Sequence, residues 1–231
     1  MVKPITLSPK HEEILACEKD ALVLGGPGAG KTTIALIKAG REIASQHLKP
    51  HQKILFLSFA RSTVARVGEK AREQLTTEVR RWIEIDTYHG FTWKLLRSHA
   101  YLIGLSRPLR LITPPDEAAW LAEVRSSVVG KAERDALSRK EQERLAFEDG
   151  RVPFDLFAQL SADVLQRHAR LREILGLAYP TIILDEFQDT NADEWRLIQE
   201  LGKSCRLIAL ADPDQRIYEF RGPTRAGSDN S

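Results

Sequence analysis

The amino-acid sequence predicts an α/β fold in which a parallel sheet carries helices on both faces. Short apolar runs alternate with longer amphipathic stretches up to residue 101 and again after residue 178. A glycine-rich segment at residues 25–32 joins the first apolar run to a helical pattern. Two later apolar runs end in polar residues, at Asp185 and in residues 211–215, which is typical of parallel strands whose carboxyl ends line a ligand crevice.

The composition is that of an ordinary globular chain with one large domain or two small ones. Of its 231 residues, 42% are hydrophobic and 29% are charged, and the net charge is +2. This balance neither indicates nor excludes a nucleic-acid partner, because a local basic face can exist in a nearly neutral total. We expect a cytoplasmic protein, since the N-terminal residues lack a signal-peptide pattern and no apolar run approaches the ~18 residues that span a bilayer. Cys17 and Cys205 lack metal-ligand spacing, and we expect inert, reduced thiols.

Capping residues and periodicity predict the N-terminal elements. Ser8 is a good N-cap and Pro9 suits the first position of a helix. The apolar run at residues 21–24 predicts a buried strand. The apolar periodicity after the glycine-rich segment predicts a helix that continues to about Gln46.

The glycine-rich segment matches the phosphate-binding pattern G-x-x-x-x-G-K-[ST] without a mismatch. It consists of Gly25, Gly26, Pro27, Gly28, Ala29, Gly30, Lys31 and Thr32. Its glycines allow successive backbone N–H groups to point at one phosphate, and the following helix adds the positive end of its dipole. Lys31 is predicted to reach the β- and γ-phosphates, and the Thr32 hydroxyl to bind Mg²⁺. The alternative is a glycine-rich turn without a ligand, which the strand–helix setting disfavours.

The alternation of strands and helices continues to about residue 101. Residues 53–59 form a nearly continuous apolar run that suits a central parallel strand. Ser62 or Thr63 can cap the next helix. Apolar and basic residues are interleaved along that helix: Val64, Val67 and Leu75 with Arg66, Lys70 and Arg72. Residues 82–85 predict a short strand, and a helix is expected to follow as far as Tyr101.

The alternation breaks down between residues 102 and 177, where we predict a small helical insertion to one side of the sheet. Helices are predicted over 116–129, 131–149 and 154–175. The mixed charges of the second favour a solvated helix over a nucleic-acid-binding one. The predicted main domain therefore comprises residues 1–101 and 178–222, and residues 223–231 are predicted to be a flexible tail.

The core resumes with an apolar strand at residues 180–184 that ends in Asp185 and Glu186. Asp185 is predicted to bind the same Mg²⁺ as Thr32, and Glu186 to take a proton from the attacking water. The alternative is a pair of solvated acidic residues at the end of a strand.

A further helix and strand are predicted at residues 192–201 and 205–210. Gln215 lies just beyond that strand. A neutral amide at such a position can sense the γ-phosphate or orient a water molecule, and the alternative for Gln215 is a turn residue.

In combination, these segments resemble the first RecA-like domain of the UvrD/Rep/PcrA class of superfamily 1 DNA helicases. Residues 25–32, 57–63 and 86–91 resemble motifs I, Ia and Ib. Residues 184–190, with the sequence Leu-Asp-Glu-Phe-Gln-Asp-Thr, are similar to motif II, and residues 212–222 to motif III. The resemblance covers nearly the whole chain, and motifs II and III are its most specific part. It implies a RecA-like P-loop NTPase fold, ATP and Mg²⁺ as cofactors, and single-stranded DNA as a partner.

The resemblance implies roles for individual residues. The implied catalytic residues are Lys31, Asp185, Glu186 and Gln215. Contacts with single-stranded DNA are implied for Phe59, Arg61, Thr87, Tyr88, His89, Tyr218 and Phe220, with core packing as an equal alternative for Tyr88. Nucleotide contacts are implied for the motif I residues and for His11, Thr33 and Arg221. Gln188 and Arg221 match residues that couple the nucleotide site to the DNA site, and the insertion at 102–177 corresponds to a shortened 1B subdomain.

Three departures from the family pattern bear on specificity. The family has a glutamine at the position of His11, where one amide hydrogen-bonds adenine from both sides. An imidazole cannot make both bonds in a single tautomer, so adenine specificity is not implied here. Thr33 stands where the family often has an arginine that stacks on the base, and Ala60-Arg61-Ser62 replaces the commoner Thr-Asn-Lys of motif Ia.

No segment of this sequence resembles motifs IV to VI or the second RecA-like domain. That domain supplies an arginine that stabilises transition-state charge, which contributes on the order of 10³–10⁵ in rate in related phosphoryl-transfer systems. We therefore expect an ATP-binding domain with little activity alone, which needs a second RecA-like domain or a partner chain. One alternative is a non-motor module that binds a partner in a nucleotide-dependent way. Another is a small-molecule kinase, which the Asp185-Glu186 pair disfavours.

Overall fold

The computed structural model describes residues 7–45, 48–113 and 130–215, together with residues 115, 116, 118, 119 and 122. Within these ranges the main sheet has five strands in the order β1-β7-β6-β2-β3, and every pair of neighbours is parallel. The strands are β1 (Ala21–Leu24), β2 (Ile54–Ser58), β3 (Ile83–Thr87), β6 (Thr181–Leu184) and β7 (Arg206–Ala211). Two three-residue strands, β4 (Arg110–Ile112) and β5 (Arg151–Pro153), form a separate parallel pair. The predicted α/β fold with a parallel sheet is confirmed.

Nine helices of the described residues flank or connect these strands. They are α1 (Pro9–Ala16), α2 (Lys31–Ala44), α3 (Arg61–Gln74), α4 (Thr77–Arg80), α5 (Tyr88–His99), α6 (Lys131–Arg144), α7 (Phe157–Arg167), α8 (Ala169–Ala178) and α9 (Ala192–Gly202). Side chains fix the starts of three of them, because Ser8, Thr87 and Asn191 each accept a hydrogen bond from a backbone N–H of the first turn. In α1 and α9 the residue at the third position bonds back to the cap, which completes a capping box.

The sheet separates two hydrophobic cores, one on each face. Alternate residues of β2 point to opposite faces, so Phe56 packs with Ile183 and Leu36 while Leu55 and Leu57 pack on the other side. Helices α1, α2 and α3 cover the first face, and α5, α7 and α9 cover the second. Because β2 and β6 are covered on both faces, all of their residues are buried, as their continuous apolar sequence predicts.

The region between residues 102 and 177 differs from its prediction in three ways. The helix predicted over 154–175 is two helices, α7 and α8, because His168 has the non-helical angles φ −127° and ψ 82°. Its Nε2 lies 3.2 Å from the carbonyl oxygen of Leu102. The helix predicted over 131–149 is α6 followed by a π-helical turn at Leu145–Asp149. The parallel pair β4–β5 was not predicted, because three-residue strands leave no periodic signal.

Helix α7 belongs to the same core as the main sheet. Phe157, Leu160 and Val164 are buried in one cluster with Leu184 of β6 and Leu197 of α9. The last part of the predicted insertion therefore covers the sheet instead of lying to one side of it. The domain boundaries drawn from the sequence stay predictions. The helix predicted over 116–129 falls mostly outside the described residues, and the predicted tail at 223–231 lies wholly outside them.

The two edges of the described sheet differ in chemistry. At one edge, β3 carries Glu84 and Asp86, and the Lys94 ammonium lies 3.1 Å and 2.8 Å from their carboxylates. At the other edge, β1 pairs only with β7, and its residues Leu22 and Leu24 are 57% and 59% exposed. Charged side chains discourage a further strand from pairing with β3, whereas β1 has no such protection.

Two expectations from the composition concern the reactivity of the cysteines and the presence of membrane-spanning segments. Cys17 and Cys205 are both free; Cys17 is half-buried and Cys205 is buried. Burial raises the pKa of the Cys205 thiol to about 12, which makes it unreactive near neutral pH. Within the part of the chain that the structure describes, no helix combines the length and apolar character needed to cross a membrane.

Candidate nucleotide site

The glycine-rich segment forms a loop between β1 and α2. The Gly25 N–H donates to the carbonyl oxygen of Ala211, the last residue of β7, over 3.2 Å, which ties the start of the loop to the sheet. Gly28 and Gly30 have φ angles of +76° and +81°, in the left-handed region that L side chains rarely adopt. Gly30 is the N-cap of α2 and caps it without a side chain, so the first N–H groups of the helix are left to face the loop.

The Lys31 side chain folds over this loop. Its Nζ donates to the carbonyl oxygens of Gly25 and Gly26, the latter over 3.2 Å. These carbonyls hold the ammonium group above the loop, where the pattern predicts that it meets a phosphate. Among the described residues, no hydrogen bond to the Thr32 hydroxyl competes with a ligand.

A cleft of about 400 Å³ opens at this loop, along the carboxyl edge of the sheet. The structure brings most of the predicted nucleotide residues together around it: Gly26, Pro27, Gly28, Ala29, Gly30, Lys31, Thr32, Thr33, Asp185 and Glu186. Gly25 lies directly behind them, since its carbonyl accepts from Lys31. Because β7 lies between β1 and β6, the residue after β7, Asp212, also lines the cleft.

Like Asp212, Asp185 is a deeply buried acidic group of the cleft, with 2% of its surface exposed. Its backbone N–H donates to Leu57 over 2.9 Å, but its Oδ2 atom has no hydrogen-bond partner among the described residues. Burial, and next the negative charge of Glu186, raise the pKa of Asp185 to about 6. Arg66 and Lys31 offset part of this effect. A buried, unpaired carboxylate oxygen is costly, and a cation in the cleft would satisfy it.

Gln188 connects Glu186 to the end of β7. Its Nε2 donates to Glu186 Oε2 over 2.7 Å, and its Oε1 accepts from the Asp212 backbone N–H over 2.9 Å. Glu186 itself adopts a left-handed conformation with φ 53° and ψ 41°, which is uncommon for a residue other than glycine. The amide therefore holds the Glu186 carboxylate in a fixed position relative to two neighbouring strand ends.

Three further residues line the cleft although the sequence analysis assigned them no role there: Arg66, Lys70 and Asp212. Arg66 and Lys70 are four residues apart on α3 and share one face of that helix. Their spacing was visible in the sequence, but the packing of α3 against the loop was not. Asp212 follows an apolar strand as Asp185 does, so the rule that selected Asp185 could also have found it.

Other predicted nucleotide residues do not reach the cleft or cannot be placed. His11 is not among the residues that line it; instead its Nδ1 accepts from the Ser8 backbone N–H over 3.3 Å and completes the cap of α1. Gln215 ends a 3₁₀ turn at Pro213–Gln215, and its side chain lies outside what the structure describes. Arg221 lies outside the described residues as well.

The predicted DNA-contacting residues gather where β2 and β3 end. The rings of Phe59 and Tyr88 are stacked, with 4.4 Å between their centroids. Phe59 is half-buried, whereas Tyr88 is 2% exposed, which favours core packing over DNA contact for Tyr88. His89 and Arg61 are exposed, and the Thr87 hydroxyl accepts from the Gly90 N–H as the cap of α5. Tyr218 and Phe220 lie outside the described residues.

Comparison with known proteins agrees with this arrangement. Residues 12–221 match the model of a family described as an AAA domain. Relatives named ATP-dependent DNA helicase PcrA include one from Staphylococcus epidermidis, 24% identical over 93% of this chain and 34% of the relative. Others come from Leuconostoc citreum, 22% identical over 91% of this chain and 33% of the relative, and from Staphylococcus aureus, 21% identical over 92% and 34%. The chain thus spans about a third of the length of the curated relatives it matches.

Proposed function

This chain belongs to the AAA domain family and is an N-terminal domain of the UvrD/PcrA-like superfamily 1 helicase type, and we propose that it binds ATP with Mg²⁺ in the cleft between the 25–33 loop and Asp185. We propose further that hydrolysis of this ATP drives movement along single-stranded DNA when a second RecA-like domain closes the cleft. The chain alone binds nucleotide but does not unwind DNA.

The observation that carries the proposal is the unpaired Oδ2 atom of Asp185 beside the phosphate-binding loop. An oxygen in this position suits Mg²⁺, which proteins bind through one or two side-chain oxygens together with the phosphates of a nucleotide. Thr32 supplies the second protein oxygen, and the ion would neutralise charge on the β- and γ-phosphates. The donor set therefore fits the ion that the family uses.

The remaining groups of the cleft have separate tasks. Lys31 exchanges the loop carbonyls for phosphate oxygens when nucleotide enters, and the N–H groups of the loop bind the same phosphates. Glu186 accepts the proton of the attacking water, in the position that Gln188 fixes. Arg66 and Lys70 add positive charge to the wall of the cleft. We propose that Gln215 senses the γ-phosphate and that Arg221 contacts the nucleotide and couples its site to the DNA site.

The DNA half of the proposal rests on the relatives and on Phe59. The relatives are named as DNA helicases, and Phe59 offers a half-buried ring near the exposed Arg61 and His89. An aromatic face stacks on any base, which suits a protein that moves along DNA of any sequence. Since this chain covers a third of those relatives, the opposite wall of the DNA track is assigned to the second domain.

A titration of the chain with Mg-ATP tests the nucleotide half. Wild type is expected to bind, and Lys31→Ala to weaken binding about 10- to 100-fold, the value of a charge-assisted hydrogen bond. Lys131→Ala, which changes an exposed lysine at the start of α6, is the matched control and should bind as wild type does. His11→Gln tests the base: an increase in the preference for ATP over GTP would assign adenine recognition to that position.

Two results would overturn the proposal. Equal affinity of wild type and Lys31→Ala for Mg-ATP would show that the loop does not bind the nucleotide through Lys31. ATP-dependent strand displacement by the chain alone would show that no second domain is needed. We expect the chain alone to bind nucleotide measurably and to displace no strand in a strand-displacement assay.

A further inference from the structure

Helix α3 supplies one wall of the nucleotide cleft. Its buried residues Val67 and Ala71 pack in the core on the face of the sheet that α2 also covers. Arg66 and Lys70 each precede one of these buried residues, and at about 100° per residue they share the flank of the helix that borders the cleft. The apolar stripe of α3 therefore fixes which of its charged residues reach the nucleotide site.

The Arg66 guanidinium is available to a ligand. Arg66 is exposed, and among the described residues it takes part in no hydrogen bond and no ion pair. Lys31 differs in this respect, because the carbonyl oxygens of the loop hold its ammonium group. An arginine without a protein partner keeps its five N–H donors for a molecule that enters the cleft.

The charge of Arg66 acts at the acidic end of the cleft. Burial raises the pKa of Asp185 most, and the charge of Glu186 adds to the rise. Of the two cations that oppose this rise, Arg66 has a larger effect than Lys31. Because the interaction between charges weakens with distance, this order agrees with a guanidinium that faces Asp185 from the wall of the cleft.

The proposed position of the nucleotide brings its last phosphate to the same end. In that proposal Mg²⁺ joins the β- and γ-phosphates to Asp185, and Glu186 activates the water that attacks the γ-phosphate. The γ-phosphate is therefore the part of the nucleotide that lies nearest to these two carboxylates. A diphosphate has no group at this position.

A γ-phosphate at the acidic end needs a cation besides Mg²⁺. The carboxylates of Asp185, Glu186 and Asp212 line this cleft and repel an anion. Arg66 can offset that repulsion, since its charge already acts on Asp185. A guanidinium also binds two phosphate oxygens through parallel N–H bonds, which an ammonium group cannot do.

We infer that Arg66 binds the γ-phosphate of the nucleotide and gives this domain a preference for a triphosphate over a diphosphate. The inference rests on the proposed binding of Mg-ATP in the same cleft. The contact comes from α3 of this chain, so it forms before a second domain closes the cleft. The domain alone therefore distinguishes the nucleotide before hydrolysis from the nucleotide after it.

A role of Arg66 confined to the protein would give a different result. If the guanidinium only reduced the repulsion among the carboxylates of the cleft, its removal would weaken both nucleotides alike, because Mg-ADP meets the same carboxylates. A contact with the γ-phosphate affects the triphosphate alone. The ratio of the two affinities therefore distinguishes the two roles.

The test is a calorimetric titration of the chain at pH 7.5 with Mg-ADP and with the Mg²⁺ complex of a non-hydrolysable ATP analogue. Wild type is expected to bind the triphosphate more tightly. Arg66→Ala should lose about 10- to 100-fold in affinity for the triphosphate, the value of a charge-assisted hydrogen bond. Its affinity for Mg-ADP should change less than about threefold, as for an exposed charge without a direct contact.

Two further variants complete the titration. Arg66→Lys keeps the charge but loses the two parallel N–H bonds, so its affinity for the triphosphate should lie between those of wild type and Arg66→Ala. Arg72→Ala is the matched control, since Arg72 is exposed on the same helix but is not among the residues that line the cleft. It should bind both nucleotides as wild type does.

Beryllium fluoride provides a second measurement, because it occupies the position of the γ-phosphate beside bound ADP. It should tighten the binding of ADP to wild type and to Arg72→Ala, and leave the binding to Arg66→Ala unchanged. An equal loss of affinity for both nucleotides in Arg66→Ala, or no loss for either, overturns the γ-phosphate contact and leaves nucleotide binding in place. If wild type binds neither nucleotide, the proposed nucleotide site is overturned, and this inference with it.

Discussion

Asp185 shows at the scale of one residue how a binding site opposes stability. Its carboxylate is buried beside Glu186 with one oxygen unpaired, and its pKa is about 6 in place of the ordinary 3.8. Because the folded protein holds this proton more tightly than the unfolded chain does, the free energy of unfolding falls as pH rises from about 4 to about 6. Above that range the full cost of the buried charge is present.

Asp185→Asn removes this cost and the proposed Mg²⁺ ligand together. At pH 7.5 we expect the variant to be more stable than wild type by about 1–3 kcal/mol, the free energy that corresponds to the shift. We expect it to lose most of the decrease in stability between pH 4 and pH 6, and to bind Mg-ATP more weakly. Urea unfolding at several pH values measures the first two effects.

Asp135→Asn is the control for this prediction, since Asp135 is exposed on α6. Its unfolding curve should follow that of wild type at every pH. An Asp185→Asn protein that is less stable than wild type at pH 7.5 would contradict the argument, because it would mean that the carboxylate is already satisfied.

Two helical glycines of this protein differ in the space that surrounds them. A Cβ on Gly90, in the first turn of α5, would collide with Asp86 Oδ1 and approach Thr87 Oγ1 to 3.0 Å. Asp86 cannot swing away freely, since its Oδ1 accepts from the Thr87 N–H over 2.8 Å and its Oδ2 pairs with Lys94. A Cβ on Gly68, in the middle of α3, would meet nothing within 4 Å.

These surroundings predict opposite signs for the same substitution. Gly90→Ala should lower the free energy of unfolding by about 1–3 kcal/mol through overpacking, and Gly68→Ala should raise it by about 0.5–1 kcal/mol through helix propensity. Denaturant titration of the two variants beside wild type provides the measurement. A stabilised Gly90→Ala protein would mean that the start of α5 is looser than the cap at Thr87 indicates.

At the scale of elements, the sequence predicted the main sheet well and its surroundings less well. The five strands stand within about two residues of their predicted positions. For β2 and β6 the reason is that a strand covered on both faces is a continuous apolar run. The prediction that β1 is buried is wrong, because β1 is an edge strand of the described sheet with Leu22 and Leu24 exposed. The break at His168 and the pair β4–β5 depend on contacts with distant residues, which periodicity does not record. The same limit applies to the cleft: the motif located Lys31 and Asp185, whereas Arg66 reaches it only through the packing of α3.

The exposed edge of β1 concerns the molecule as a whole. Replacing Leu22 and Leu24 with lysine should reduce self-association of the chain at high concentration, because lysine on an edge strand opposes pairing with a second sheet. Sedimentation velocity over a range of concentrations provides the measurement. Leu177→Lys is the matched control, since Leu177 is 60% exposed but lies on α8. A role of the strand edge would be contradicted if wild type stays monomeric at every concentration. It would also be contradicted if Leu177→Lys reduces self-association as much as the substitutions in β1 do.

The position of β7 determines when during synthesis the protein can fold. β7 is the last strand of the described sheet in sequence, yet it lies between β1 and β6, with Ala21 opposite Ile208. At a translation rate of about 5–20 residues per second, β1 waits for its neighbour for roughly 10–40 s after leaving the ribosome. Until then the backbone groups of β1 that pair with β7 are open to other chains and to chaperones. The phosphate-binding loop and Asp212, which follow β1 and β7, are therefore assembled into one site only after β7 has been synthesised.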